Sequence, residues 1–190
     1  MTTTTRAALC AALAAMFMCS GAAFGAAENA CEREMARAAQ THGIPLGVLY
    51  AVGLTETGRG DSLRPYALNI DGKAVYDIGK SDALRTFERA RRTGARMIDV
   101  GCMQINHHFH ARSFASVADM LDPPKNVAYA ARFLQQLKVR EGSWTMAVAR
   151  YHAGPDNDPA QKRYVCRVIA NLVASGFGAW TADARVFCQP

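Results

Sequence analysis

Glu56 is an acid at the end of a run that otherwise reads as core: Leu46, Val48, Leu49, Tyr50, Val52 and Leu54 precede it. A carboxylic acid so placed is partly desolvated, and burial disfavours its charged form. The negative end of a helix macrodipole pushes the pKa the same way. An acid held protonated near neutral pH can donate its proton to a leaving group and take one back afterwards. Two other patches carry polar side chains at motif-like spacing. Gly101-Cys102-Met103-Gln104-Ile105-Asn106 follows a polar insert, and Ala149-Arg150-Tyr151-His152-Ala153-Gly154 ends a later helix. An acid that works by hydrolysis is commonly paired with a second carboxylate that holds water. Asp61 is the nearest in sequence, with Asp77 and Asp99 further off, and its neighbours Ser62 and Arg64 make it read as an Arg-paired loop aspartate.

His107, His108 and His110 raise the question of a metal. The trio lacks a helical i,i+4 pair and no fourth ligand is evident, so it reads as a polar rim and the chain is expected to need neither metal nor cofactor. A cysteine nucleophile is disfavoured because the cysteines are better spent on disulfides. Cys31, Cys102, Cys166 and Cys188 form an even set that allows three pairings. Cys31–Cys102 with Cys166–Cys188 is the favoured one. The first would tie the N-terminal helix to the second motif, and the second would pin the C-terminal tail to the last long helix.

The elements that must position these residues are mostly helical. Residues 28–40 form one expected helix before His42-Gly43, and a second starts at Pro45 and runs to Glu56. Asp122-Pro123 opens a longer one with Val127, Ala130, Ala131, Leu134 and Leu137 on one face, stopped by Gly142. Ser143 caps the next, and residues 159–175 make another before Gly176. Between the first two motifs the pattern changes. Residues 66–70 and 73–76 flank Asp71-Gly72, a hairpin signal with a turn that wants positive φ. A helix over 81–93 and an extended stretch over 96–100 follow. Tyr66 and Asn69 on the hairpin are candidates to extend a groove.

The N-terminus has another purpose. Arg6 lies in a short n-region, residues 7–18 are an unbroken apolar run, and small residues follow, the layout of a secretory signal peptide cleaved after Ala27, with Gly25 the alternative cut and an uncleaved anchor disfavoured by the short apolar run. Residues 28–190 then form one domain with a sizeable core. The formal charge of +6 becomes +5 once Arg6 is removed. A basic exported protein suits an anionic polymer such as cell wall. No Lys/Arg run with interleaved aromatics supports nucleic acid as the partner, and the membrane matters only during export.

Taken in order, Glu56-Thr57, the Gly101–Asn106 motif, Asp122-Pro123 with Asn126-Val127, and the Ala149–Gly154 motif resemble the lytic transglycosylases of the soluble type, in the lysozyme-like superfamily. The resemblance covers about Cys31 to Tyr164. It implies a mainly α, α+β lysozyme-like fold, a helical bundle around a sugar groove with a small β-hairpin insert. It implies cleavage of the β-1,4 bond between N-acetylmuramic acid and N-acetylglucosamine in peptidoglycan, without water, to a 1,6-anhydro product. Glu56 would be the single acid and base. Thr57, Met103, Gln104, Asn106, Tyr151 and His152 would contact sugar, with the Tyr151 hydroxyl approaching the acid. Cys102 and His152 depart from the family pattern, which usually has leucine or isoleucine and asparagine there. This version is most similar to small, exported members found beside secretion and flagellar systems, so such an apparatus is the partner the resemblance brings in, and the periplasm the compartment. The alternatives are a hydrolytic muramidase and a non-catalytic wall-binding accessory.

Overall fold

The computed structural model describes residues 29–58, 62–154 and 156–189. The expected signal peptide lies outside the described residues. Nine helices and four short strands alternate in one run: α1 (Ala30–His42), α2 (Leu46–Thr57), β1 (Leu68–Ile70), β2 (Lys73–Val75), α3 (Lys80–Arg92), β3 (Ile98–Val100), β4 (Ile105–Asn106), α4 (His107–His110), α5 (Val117–Met120), α6 (Pro123–Glu141), α7 (Trp144–His152), α8 (Asp158–Ala174) and α9 (Ala182–Cys188) among the described residues. This is the expected mainly α arrangement with a small β insert. No described helix is long and apolar enough to cross a membrane.

Local chemistry sets the helix ends. The Asn29 side chain accepts from the Cys31 N–H at the start of α1, and Gly43 closes it at φ 63°. Ser143 Oγ accepts from the Met146 N–H at the start of α7. Gly142 takes a positive φ of 81° where α6 stops. The second helix is nearly all apolar and has buried residues around it, so it sits inside the bundle rather than on it. It packs on α8 and α1, while α6 packs on α1 and α7. Met35, Leu49, Val52, Leu134 and Tyr164 are among the buried side chains at the centre. A Cβ at Gly53 would press on the terminal methyl of Met35, so α1 and α2 meet there through this glycine and the end of that methionine.

The insert is a four-stranded antiparallel sheet in the order β2-β1-β3-β4. The hairpin turns at Asp71-Gly72 with φ of 47° and 87°, as its sequence demands. Only its first two strands were expected as a pair; β3 joins β1, and β4 is added by the second motif itself. Register is the useful result. Asn69 pairs with Asp99, and Asp99 with Asn106, so three polar side chains form one cross-strand row.

Two disulfides brace this frame: Cys31–Cys102 and Cys166–Cys188, the favoured pairing of the three. The first links α1 to the turn before β4, and both its cysteines are fully buried. The second joins α8 to α9.

Candidate active site

Glu56 occupies the last turn of α2, where the helix meets a groove of about 340 Å³. The sheet row Asn69, Asp99 and Asn106 lines this groove, as do Gln104, Tyr151 and His152. Residues far apart in sequence thus converge because the central helix ends where sheet and bundle meet.

Burial pushes the Glu56 carboxyl up from its ordinary value of 4.5 to about 7. The Tyr164 hydroxyl donates to Glu56 Oε1 at 2.6 Å and pulls in the other direction, by favouring the carboxylate. The negative charge of Asp99 pushes upward again and the Arg167 guanidinium downward. Burial wins, so the acid is about half protonated near neutrality, which suits a group that first gives and then takes a proton. Asp99 is itself raised by burial, and the Asn106 amide that donates to its Oδ1 at 2.6 Å moderates the rise.

The hydroxyl that hydrogen-bonds Glu56 belongs to Tyr164, while Tyr151, whose hydroxyl was expected to approach the acid, is near enough for the Glu56 charge to add to the burial that raises its phenol. Tyr151 donates at 2.8 Å to the Met103 carbonyl oxygen, although its ring still lines the groove. Tyr164 is buried on α8, which packs against α2, and that packing delivers its phenol to Glu56. One signal for it was available. A tyrosine on the same helix face as Val165 and Val168 must find an acceptor for its hydroxyl. His152 stacks on the Tyr164 ring, 4.2 Å between centroids and 2° between planes. Burial and the nearby Arg167 charge hold the His152 imidazole below its ordinary range.

Two expected sugar contacts are framework instead. Thr57 is fully buried, and its hydroxyl donates to the Cys102 carbonyl at 3.0 Å, clamping α2 to the second motif. The Met103 side chain is also fully buried, and its backbone N–H donates to Asn126 Oδ1 at 2.9 Å. Gln104 does reach the groove, in the left-handed region at φ 44°. Its amide nitrogen donates to the carbonyls of Ala67 and Gly101, at 3.1 Å and 3.0 Å, which leaves the amide oxygen to face other chemistry. Asn106 lines the groove while its oxygen accepts from the His108 N–H.

The second motif is held from behind. Asn126, buried in the first turns of α6, donates to the carbonyls of Val100 and Met120, both at 2.8 Å, and accepts from Met103. Gly101 passes directly over it. A Cβ there would lie 2.7 Å from Asn126 Nδ2, and φ is 78°. The family model described as the transglycosylase SLT domain matches residues 34–170, a span that takes in every one of these groups. The chain belongs to this family. No curated protein and no solved structure matches it. Membership brings peptidoglycan as substrate, lytic transglycosylase activity at the level of the family, and action on the cell wall outside the cytoplasm.

Within this SLT domain a second carboxylate shares the groove with Glu56. Asp61 lies outside the described residues, and Arg64 pairs with Asp77 at 2.7 Å. Asp99, further from Glu56 in sequence than Asp61, lines the same groove as Glu56 and its charge raises the acid's pKa. Its flanks held a clue: a lone carboxylate alternating with buried Ile98 and Val100 must face the opposite side of the strand. The histidines after the motif divide. His107 packs edge-on against Phe87, and His110 bonds the Tyr129 hydroxyl at 2.8 Å and sits beside Phe133. His108 is exposed and His110 also lines the groove, so the trio combines packing with the polar rim its sequence suggested. Tyr66 packs against the core, whereas Asn69 lines the groove with its Oδ1 buried and without a hydrogen-bond partner.

Proposed function

We propose that this domain cleaves the β-1,4 bond between N-acetylmuramic acid and N-acetylglucosamine, with Glu56 as acid and then base. The supporting observation is the Glu56 carboxyl, raised to about 7 in a polar groove and oriented by Tyr164. Protonated Glu56 gives its proton to the glycosidic oxygen as the C1–O bond breaks. The acetamido oxygen of the muramic sugar holds the positive charge at C1. The carboxylate left on Glu56 then takes the proton of the C6 hydroxyl, whose oxygen closes on C1 to give the 1,6-anhydro ring. Proton and charge are restored, with no cofactor in any step. Asn69 Oδ1 is an acceptor suited to a sugar N–H or hydroxyl, and Gln104 Oε1 is another. The role in the cell is local remodelling of the wall in the periplasm after export. A secretion or flagellar apparatus as the machine served rests on the resemblance alone.

Asp99 favours a second reading, hydrolysis of the same bond. A carboxylate that shares the groove with the acid can, when ionised, stabilise the charge at C1 or activate water. Mass spectrometry of products from purified sacculi decides between the two. Anhydro ends are one water lighter than reducing ends, and Glu56→Gln should release neither. Reducing ends from wild type would assign the hydrolase.

A further inference from the structure

Beside the catalytic groove lies a larger hollow of about 720 Å³, and His152 lines both. Its other walls come from α8 and the end of α9. Lys162, Arg163 and Arg167 contribute three cations, and no carboxylate lines it among the described residues. Arg163 and Arg167 are exposed and four residues apart, so two like charges sit one helical turn from each other. That arrangement costs stability unless an anion relieves it. Lys162 spends one donor on the Gln189 carbonyl at 2.9 Å. Among the described residues, the only carboxylate lining the adjoining apolar hollow is Asp158, at the start of α8. The Cys166–Cys188 disulfide fixes the wall, since both cysteines line the cavity.

The stacked pair His152–Tyr164 joins this hollow to the chemistry. Tyr164 holds Glu56, His152 covers the Tyr164 ring, and the Arg167 guanidinium lies 5.7 Å from that ring's centroid. His152 is the shared wall, so a ligand reaching past it from the groove enters this hollow. We propose that the Lys162, Arg163 and Arg167 hollow binds the carboxylates of the acidic peptide stem borne by the muramic sugar. The site so distinguishes peptide-bearing glycan from bare glycan. This rests on peptidoglycan being the substrate, and it adds a peptide subsite to the sugar groove.

The test pairs a kinetic arm with a binding arm. In the first, kcat/KM is measured on peptide-bearing strands and on strands stripped by an amidase. Wild type should favour the peptide-bearing strands by about tenfold, the size expected for two or three solvent-facing charge contacts. Arg163→Glu should bring that ratio close to one, with Arg163→Gln in between. Equal rates on both strands for wild type, or an unaltered ratio in Arg163→Glu, overturns the proposal. In the second arm, Glu56→Gln protein is titrated at low salt with the free stem peptide and with the same peptide amidated at its carboxylates. Saturable binding that amidation and Arg163→Glu each weaken by about fivefold supports the subsite. No binding, or equal binding of both peptides, overturns it. Should wild type cleave neither strand, the enzymatic reading fails and the binding arm still judges the hollow.

Discussion

The Tyr164 hydroxyl meets Glu56 Oε1 at 2.6 Å across 108 residues of chain, and the ring behind that hydroxyl is stacked on His152. One buried phenol thus connects the acid on α2 to the third motif on α7. Its bond favours the charged carboxylate against burial, which favours the neutral acid, so it sets where the acid titrates.

Activity should therefore fall as pH rises through about 7, because the first step needs protonated Glu56. Tyr164→Phe removes a bond that favours the carboxylate, so the descending limb of the kcat/KM profile should move to higher pH. Asp99→Asn removes a negative charge that raises Glu56, so its limb should move to lower pH. Opposite shifts in the two variants are the expected result; shifts of the same sign would refute this account of the acid.

Glu56→Gln should abolish muropeptide release and stabilise the fold. The folded state holds the Glu56 proton more tightly than the unfolded chain, so ionisation costs stability that mounts between about 4.5 and 7. The variant should match wild type in thermal unfolding at pH 4 and exceed it by about 1–3 kcal/mol at pH 8. A variant less stable at pH 8 would contradict the burial of the acid.

Asn126→Ala should cost about 3 kcal/mol, since it leaves the Val100 and Met120 carbonyls and the Met103 N–H without their buried partner. Gly101→Ala should be similarly damaging, through a positive φ and a clash with that same amide. Denaturant unfolding measures both. Activity should fall more than stability explains, because the turn they support carries Gln104.

The two disulfides should differ in worth. Cys31–Cys102 spans 71 residues and Cys166–Cys188 spans 22, so removing the first should cost about 4 kcal/mol and the second about 3 kcal/mol on loop-entropy grounds. Serine pairs at each bridge, compared by unfolding, would show it. A larger loss at the second bridge would mean that α9 does more than cover the end of α8.

Chain order and side-chain type determined much of this protein by themselves. The apolar run before Glu56, the Asp71-Gly72 turn, the Pro123 helix start and the Ser143 cap are local signals, and local signals survive without knowledge of the rest of the chain. The raised acid followed from the same run. Which partner each polar group meets was decided only in three dimensions. Thr57 and Met103 sit inside motifs that line a groove, yet helix packing turns both inward, where a hydroxyl and a thioether brace the frame. Asp99 lies 43 residues from Glu56 and reaches the same groove because strand register sets it between Asn69 and Asn106. Tyr164, in no recognised motif, makes the hydrogen bond to the acid because α8 packs along α2. Side-chain periodicity tells which face of an element is buried; only the packing of elements tells what that face touches.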